Sequence, residues 1–370
     1  MLQLLLGGSG SGKTMLLYQR IRARAEKGEK SILLVPEQFT SSTEGRIYRE
    51  LGDALSGMVE SFSFTSLAEK ILSTEGGAAV QTLSDAGRAV LVRRALEELQ
   101  DNVHYYHRHR RSAAFCQMAA QTIDELKSAG LSGQQLAQLA GACGAESGKL
   151  SELALIFQGY ETLLARSGMD PSDRLELAGA RLEEALARHS LPEFLRDRAV
   201  FIDEFDTFNA PKKRLLGAML AALPSVTVAL CDDGAPLLPG DLSLFSGAKQ
   251  VAAQLRQLAR KNGAEVAVPQ LLRKDLRHRN APGLAAVAEL LETGSCTADA
   301  PAGEVRLFAA PSREEEARAA AGAIRRLMRQ GVRCGKIAVV CRDIAKYRAA
   351  VRYEFRMAEI PLYCDEPTTP

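Results

Sequence analysis

Short apolar runs in the first and middle parts of the chain predict a parallel β-sheet. Four of them stand out, at residues 2–6, 31–36, 199–203 and 226–231. Brief runs with few polar positions are typical of parallel strands that helices cover on both faces. The helix predicted between the first two runs ends near Gly28, the usual glycine stop. These runs predict an α/β fold.

Between about residues 84 and 190 the apolar positions instead follow helical spacing. Two segments show it: Phe115, Met118, Ala119, Thr122 and Leu126, then Leu153, Phe157, Tyr160 and Leu164. This change of period predicts a large all-helical insertion within the α/β domain. The predicted domain therefore consists of residues 1–75 and 195–292, and the insertion of residues 76–194.

A stretch of small and polar residues with Pro and Gly, residues 293–303, predicts a linker. After it, two apolar runs at residues 305–309 and 336–341 flank a helical pattern at residues 314–329. This β-α-β order predicts the start of a second α/β domain over residues 304–370. One such unit has too few strands for a stable sheet, so we expect the chain to be part of a longer protein.

A phosphate-binding loop motif directly follows the first predicted strand. It reads Gly7-Gly8-Ser9-Gly10-Ser11-Gly12-Lys13-Thr14, which matches G-x-x-x-x-G-K-[ST] between a strand and a helix. Glycines let the backbone N–H groups point at phosphate oxygens, and the helix N-terminus adds positive potential. Lys13 is expected at the β- and γ-phosphates and Thr14 at Mg²⁺. The motif predicts that the protein binds ATP or GTP.

Two acidic residues, Asp203 and Glu204, stand at the end of the strand predicted at residues 199–203. Nucleoside triphosphatases place an acid at such a strand end to hold Mg²⁺. We expect Asp203 to organise Mg²⁺ together with Thr14, and Glu204 to orient or deprotonate the attacking water. The alternative is a strand that simply ends in two solvated acids.

Phosphoryl transfer usually also needs an arginine that stabilises charge on the γ-phosphate. Arg277 and Arg279 follow the apparent end of the sheet and are the candidates. A basic surface turn is the alternative for both. Asp232 and Asp233 follow the strand at residues 226–231, where they either sense the γ-phosphate or cap a turn.

Aromatic and basic residues alternate at residues 104–111. Such a pattern suits base stacking and phosphate contact with single strands, so Tyr105, Tyr106, Arg108, Arg110 and Arg111 are candidate DNA contacts. A solvated connection between two helices explains the segment equally well. The net charge of +2 requires any nucleic-acid contact to come from local patches of this kind.

The remaining composition predicts a cytoplasmic protein without a membrane partner. Seven scattered cysteines form no C-x-x-C pair, which favours free thiols in a reducing compartment. No apolar run approaches the roughly 18 residues that span a membrane, and the first apolar run continues straight into the phosphate loop.

Four segments resemble the AddB family, the B subunits of bacterial AddAB helicase–nucleases, which are similar to superfamily 1 helicases. They are residues 34–40 with Glu44, residues 83–88, residues 202–208 with Pro211, and residues 337–343 with Tyr347, Phe355, Ile360, Pro361 and Asp365. Their order matches the family over nearly the whole chain. The resemblance implies a RecA-like motor domain with a helical insertion and the opening of a second motor domain.

The resemblance also implies a function. Members of this family partner an AddA-type helicase–nuclease subunit, bind ATP with Mg²⁺, engage double-strand ends and single strands of DNA, and process breaks for recombination. Their nuclease domain and four-cysteine iron–sulfur cluster correspond to no residue of this chain. Two alternatives remain open: an ATP-dependent DNA clamp or scaffold that does not translocate, and a P-loop kinase of small molecules.

Overall fold

The computed structural model describes residues 1–77, 82–144, 147–295 and 304–364. The chain divides into two compact units, Met1–Cys296 and Thr297–Pro370. The predicted linker at residues 293–303 lies largely outside the described residues.

The first unit contains a six-stranded sheet and twelve helices among its described residues. The strands are β1 (Leu2–Gly7), β2 (Ser31–Leu34), β3 (Val59–Phe62), β4 (Ala199–Ile202), β5 (Ser225–Cys231) and β6 (Gln270–Leu272). The helices are α1 (Lys13–Ala25), α2 (Thr40–Leu51), α3 (Asp53–Ser56), α4 (Phe64–Glu75), α5 (Asp85–Glu98), α6 (Ala113–Ser128), α7 (Gly133–Ala140), α8 (Ser147–Ser167), α9 (Pro171–Ala187), α10 (Ala210–Ala222), α11 (Ser246–Lys261) and α12 (Pro282–Thr293).

All six strands are parallel and lie in the order β3-β2-β4-β5-β1-β6. The α/β prediction is confirmed, and the four apolar runs form β1, β2, β4 and β5, whereas β3 and the short β6 are not among those runs. Because the strands are parallel, the residues that follow β1, β4 and β5 meet at one edge of the sheet. Strand β5 lies between β1 and β4, with Gly7 opposite Cys231 in its register.

The sheet is buried on both faces because alternate side chains of each strand point to opposite sides. Leu4, Leu6 and other residues of β1, β2, β4 and β5 form one core with helices α4, α9, α10 and α11. Leu5, Leu33 and Phe201 form the second core with α1 and α2. The sheet therefore holds the loops at its carboxyl edge between two rigid helical layers.

Helices α5, α6, α7 and α8 have a hydrophobic core of their own. It contains Val92, Ile123, Phe157 and Tyr160. Helix α9, which the sequence assigned to the insertion, packs on α4 and α10 instead, and its Leu175 belongs to the core of the sheet. The independent helical core thus ends with α8.

The second unit contains two long helices, α13 (Arg313–Arg329) and α14 (Ile344–Met357). They pack through a small core of Ala321, Ile324, Phe355 and Ile360. The strands predicted at residues 305–309 and 336–341 are not formed, so that part of the prediction is wrong. A strand needs a hydrogen-bonded neighbour, and neither segment has one within the described residues.

No helix in the described part of the chain has the length and apolar composition needed to cross a membrane.

Candidate functional site

The phosphate-loop sequence forms a tight turn between β1 and α1. Helix α1 begins at Lys13, and Gly12 precedes it with a φ of +89°. Gly10 has a φ of +78°. Both values lie in the left-handed region that glycine adopts without a steric penalty. The two glycines therefore let the chain reverse and enter the helix with free N–H groups at its N-terminus.

The turn packs closely against residues from the other end of the unit. A Cβ added to Gly12 would lie 2.9 Å from a methyl carbon of Leu276, and one on Gly8 would lie 2.7 Å from a carboxylate oxygen of Glu292. Ser11 is buried, and its hydroxyl has no hydrogen-bond partner among the described residues. A buried hydroxyl without a partner and the backbone N–H groups of the loop can both donate hydrogen bonds to a bound anion.

Lys13 folds back over the loop. Its ammonium donates to the carbonyl oxygen of Gly7 at 2.7 Å and to that of Gly8 at 2.8 Å. These bonds satisfy the ammonium with neutral acceptors. A phosphate oxygen would be a stronger acceptor for the same donors because its hydrogen bond is charge-assisted.

Asp203 lies at the carboxyl end of β4, next to the phosphate loop. Its N–H donates to the carbonyl of Leu34 at 3.1 Å, and its carboxylate accepts the N–H of Glu204 at 3.0 Å and lies near the Thr14 hydroxyl. Burial raises the pKa of the Asp203 carboxyl, and the Thr14 hydroxyl opposes that rise. The two side chains predicted to share Mg²⁺ thus lie near each other.

The chemistry of these groups suits Mg²⁺. The ion prefers oxygen ligands and usually takes only one or two from protein, with water and phosphate completing its octahedron. A hydroxyl and one carboxylate provide such a partial set. The described residues contain no cluster of three or more His, Cys, Asp or Glu side chains that resembles a closed metal site.

Glu204 has an unusual backbone for its residue type. Its φ is +66°, and its side chain is exposed beside the buried Asp203. Left-handed backbone is costly for residues with a Cβ and occurs most often at functional sites. This conformation presents the Glu204 side chain to the cavity next to the phosphate loop.

That cavity has a volume of about 430 Å³, within the range of small-molecule sites. Its walls come from the phosphate loop, the ends of β4 and β5, helix α2 and the segment after β6. The lining residues are Ser9, Gly10, Gly12, Lys13, Thr14, Met15, Arg46, Asp203, Glu204, Phe205, Asp206, Ala229, Cys231, Leu276 and Arg277.

The two arginines considered for charge stabilisation take different positions. Arg277 donates from its guanidinium to the Ser9 hydroxyl at 3.1 Å, and the neighbouring Leu276 N–H donates to the Gly10 carbonyl at 3.0 Å. Arg279 is exposed and does not line the cavity. The structure therefore brings Arg277, but not Arg279, to the phosphate loop.

Asp232 and Asp233 act on the turn that follows β5. The Asp232 carboxylate accepts the Gly234 N–H at 2.7 Å, and that of Asp233 accepts the Ala235 N–H at 2.8 Å. Neither residue lines the cavity. Of the two interpretations from sequence, the geometry agrees with turn capping.

The candidate DNA segment at residues 104–111 lies in the connection between α5 and α6. The Glu152 carboxylate accepts the N–H groups of His104, Tyr105 and Tyr106 at 2.8–3.1 Å and holds the segment in place. The Tyr106 ring packs 5.2 Å from that of Phe115 and is half-buried.

The other aromatic and basic side chains of this segment differ in exposure. Tyr105, Arg108 and Arg111 are exposed, and Arg110 is half-buried. Tyr106 is thus a packing residue, and Tyr105 is the more exposed ring, with the Lys149 ammonium 5.3 Å from its centre. None of the five candidates lines the 430 Å³ cavity.

Sequence reasoning missed two charged residues at the loop, Arg46 and Glu292. Arg46 lies on α2 and lines the cavity, and Glu292 lies near the end of α12 beside Gly8. Neither belongs to a recognisable motif. The burial of Thr43, Ile47 and Leu51 along α2 fixes which helix face is turned away from solvent, and only the structure shows it.

The fold and this edge of the sheet define an α/β protein with a parallel sheet that carries a phosphate-loop motif and an acidic strand end. A family model described as "ADDB, N-terminal" matches residues 4–288. The chain belongs to the AddB family.

Three similar proteins are each named as the B subunit of an ATP-dependent helicase/deoxyribonuclease. They come from Desulforudis audaxviator (strain MP104C), 34% identical over 98% of this chain, Symbiobacterium thermophilum (strain DSM 24528), 32% over 100%, and Moorella thermoacetica (strain ATCC 39073), 32% over 98%. The chain spans about a third of the length of these relatives, 32% in each case.

Proposed function

We propose that this chain is the ATP-binding N-terminal part of a helicase–nuclease subunit that acts on broken DNA in recombinational repair. One observation carries the nucleotide assignment. Thr14 and Asp203, which follow two strands separated by β5, line the same cavity as Lys13, and the Thr14 hydroxyl opposes the burial that raises the pKa of Asp203. A structural turn would not need these three groups together.

In this proposal each side chain has one task. Lys13 leaves the Gly7 and Gly8 carbonyls and binds the β- and γ-phosphates. Thr14 and Asp203 hold Mg²⁺, which when bound neutralises charge on the phosphate oxygens. Glu204 accepts a proton from the attacking water, a task that its exposed position beside Asp203 supports. Arg277, bonded to Ser9, is available at the phosphate side of the loop.

The name that the relatives share supports a proposal about the binding partners of this protein. We infer that the whole protein pairs with an AddA-type subunit and engages DNA ends and single strands. Tyr105, Arg108 and Arg111 are the contacts that this chain would contribute, because a ring and two guanidinium groups are exposed on one short segment.

The decisive measurement separates hydrolysis from a nucleotide clamp. In a complete AddAB-type complex whose partner motor is inactivated, we expect DNA-stimulated ATP turnover that Glu204→Gln lowers by roughly 10²–10⁴. Binding of ATP should remain, since the amide keeps the size of the acid. Glu193→Gln is the matched control, because Glu193 precedes β4 and does not line the cavity.

The other outcomes are equally informative. ATP binding without any turnover in the unmodified subunit would favour the clamp that does not translocate. A subunit that binds no ATP at all would refute the proposed function.

A further inference from the structure

Helix α2 is anchored beside the candidate nucleotide site by its apolar face. Thr43, Ile47 and Leu51 are buried at helical spacing, and Ile47 and Leu51 belong to the core that covers one face of the sheet. Arg46 precedes Ile47 and lies at the margin of this face, half-buried. The helix therefore carries a guanidinium to the edge of the sheet where β1 and β4 end.

The Arg46 side chain lies between two cavities. It lines the 430 Å³ cavity and a second one of about 300 Å³, and both are also lined by Thr14, Asp203 and Glu204. Its Cζ lies 4.9 Å from the centre of the Tyr18 ring. A cation–π contact of this kind orients a guanidinium without neutralising it.

Arg46 has no carboxylate within ion-pair distance in the part of the chain that the structure describes. Asp203 is close enough for the positive charge to lower the pKa of its carboxyl slightly, against the larger effect of burial. An arginine that is half-buried, oriented by a ring and not ion-paired is available for an anionic ligand.

The position of Arg46 determines which part of a bound nucleotide its guanidinium would contact. Arg277 is bonded to Ser9, at the start of the turn, whereas Arg46 lies with Thr14 and Asp203. Thr14 and Asp203 would hold Mg²⁺, which would neutralise charge on the terminal phosphates, so this side of the cavity would face the γ-phosphate. We propose that Arg46 contacts the γ-phosphate and makes the site prefer ATP to ADP. This inference rests on the proposed ATP-binding function.

The test compares nucleotide pairs in the 370-residue chain, with fluorescent ATP and ADP analogues and Mg²⁺. Arg46→Met should weaken ATP binding about tenfold and leave ADP binding within about twofold. Arg46→Lys should recover part of the ATP preference because it restores the charge without the planar fork. Arg49→Met is the control: Arg49 lies one turn further along α2 and lines only the second cavity.

Each result has a distinct meaning. An unchanged ratio of ATP to ADP affinity in Arg46→Met, with the unmodified chain binding both, would overturn the role of Arg46 alone. An equal loss for both nucleotides, or the same loss in Arg49→Met, would also overturn it and indicate a general electrostatic or packing effect. Absence of binding to the unmodified chain would refute the ATP-binding function itself. Thermal unfolding of each variant identifies any loss of folded protein.

Discussion

The backbone N–H of Glu204 donates to the carboxylate of Asp203 at 3.0 Å, while Glu204 itself has a φ of +66°. The buried acid thus stabilises the backbone of the exposed acid that follows it. Left-handed backbone costs a residue with a Cβ roughly 1–2 kcal/mol. The protein keeps this unfavourable backbone at the position where the proposed general base must face the cavity.

This backbone predicts an inverted stability order at position 204. At ordinary exposed positions a glycine variant unfolds more easily than the alanine variant. At position 204 we expect the free energy of unfolding of Glu204→Gly to exceed that of Glu204→Ala by about 1 kcal/mol. Urea unfolding of the two variants gives the comparison. Glu193→Gly and Glu193→Ala serve as the control pair. Equal stability at position 204 would mean that the left-handed conformation is absent in solution.

Replacing Lys13 should lower nucleotide affinity and change the stability of the fold little. Lys13→Ala removes a charge-assisted contact to phosphate worth roughly 1.5–3 kcal/mol, so ATP affinity should fall about tenfold or more. The fold loses only the two local hydrogen bonds to the Gly7 and Gly8 carbonyls. Binding of a fluorescent ATP analogue measures the effect, with Lys27→Ala just beyond α1 as the control. Unaltered affinity would contradict the phosphate-loop assignment.

The phosphate loop and the acidic strand end were predictable because their chemistry is local in sequence. Eight consecutive residues specify the turn, and an apolar run followed by Asp203 and Glu204 specifies the strand end. The position of Arg46 was not predictable, because it depends on how α2 packs on the sheet. Glu292 likewise reaches Gly8 only through tertiary structure.

The fold shows the same division between local and non-local information. The buried strands stand out as apolar runs, whereas β6 has only three residues and a polar first position. In α6 the predicted apolar face included Met118, which is 56% exposed, while Cys116 and Ala120 are buried. The buried face of α6 carries these small side chains where it packs against neighbouring helices. Apolar periodicity in one sequence does not indicate how closely two helices pack.

A buried ion-pair network joins the helical core to α9 and predicts a pH-dependent weakness. Lys127 on α6 lies 2.8 Å from the carboxylates of both Asp170 and Asp173, and the Tyr160 hydroxyl donates to Asp170 at 2.6 Å. Burial raises the pKa of Asp173, and Lys127 opposes that rise. Lys127→Met leaves two carboxylates without their cation and should cost about 3 kcal/mol near pH 7.

The sign of the pH effect follows from the carboxyl group of Asp173. Without Lys127 the pKa of Asp173 in the folded protein rises further above its unfolded value, so the folded state binds a proton more tightly there. The stability deficit of Lys127→Met relative to the unmodified chain is therefore smallest at acidic pH and grows as pH rises through the raised pKa of Asp173. Urea unfolding at pH 4.5 and 7 should show a larger deficit at pH 7. Arg93→Met, which breaks an exposed pair with Glu97, should change little at either pH.

Glu292 places a negative charge where a phosphate would approach the loop, because its carboxylate lies against Gly8. Repulsion between like charges at such distances is worth about 1 kcal/mol in water and more in a partly buried site. Glu292→Gln should therefore tighten ATP binding by roughly three- to tenfold, and the gain should shrink in 1 M salt because salt screens the repulsion. Glu289→Gln, one turn earlier on α12, is the matched control. Affinity that is unchanged at low salt would show that the carboxylate does not oppose the bound phosphates.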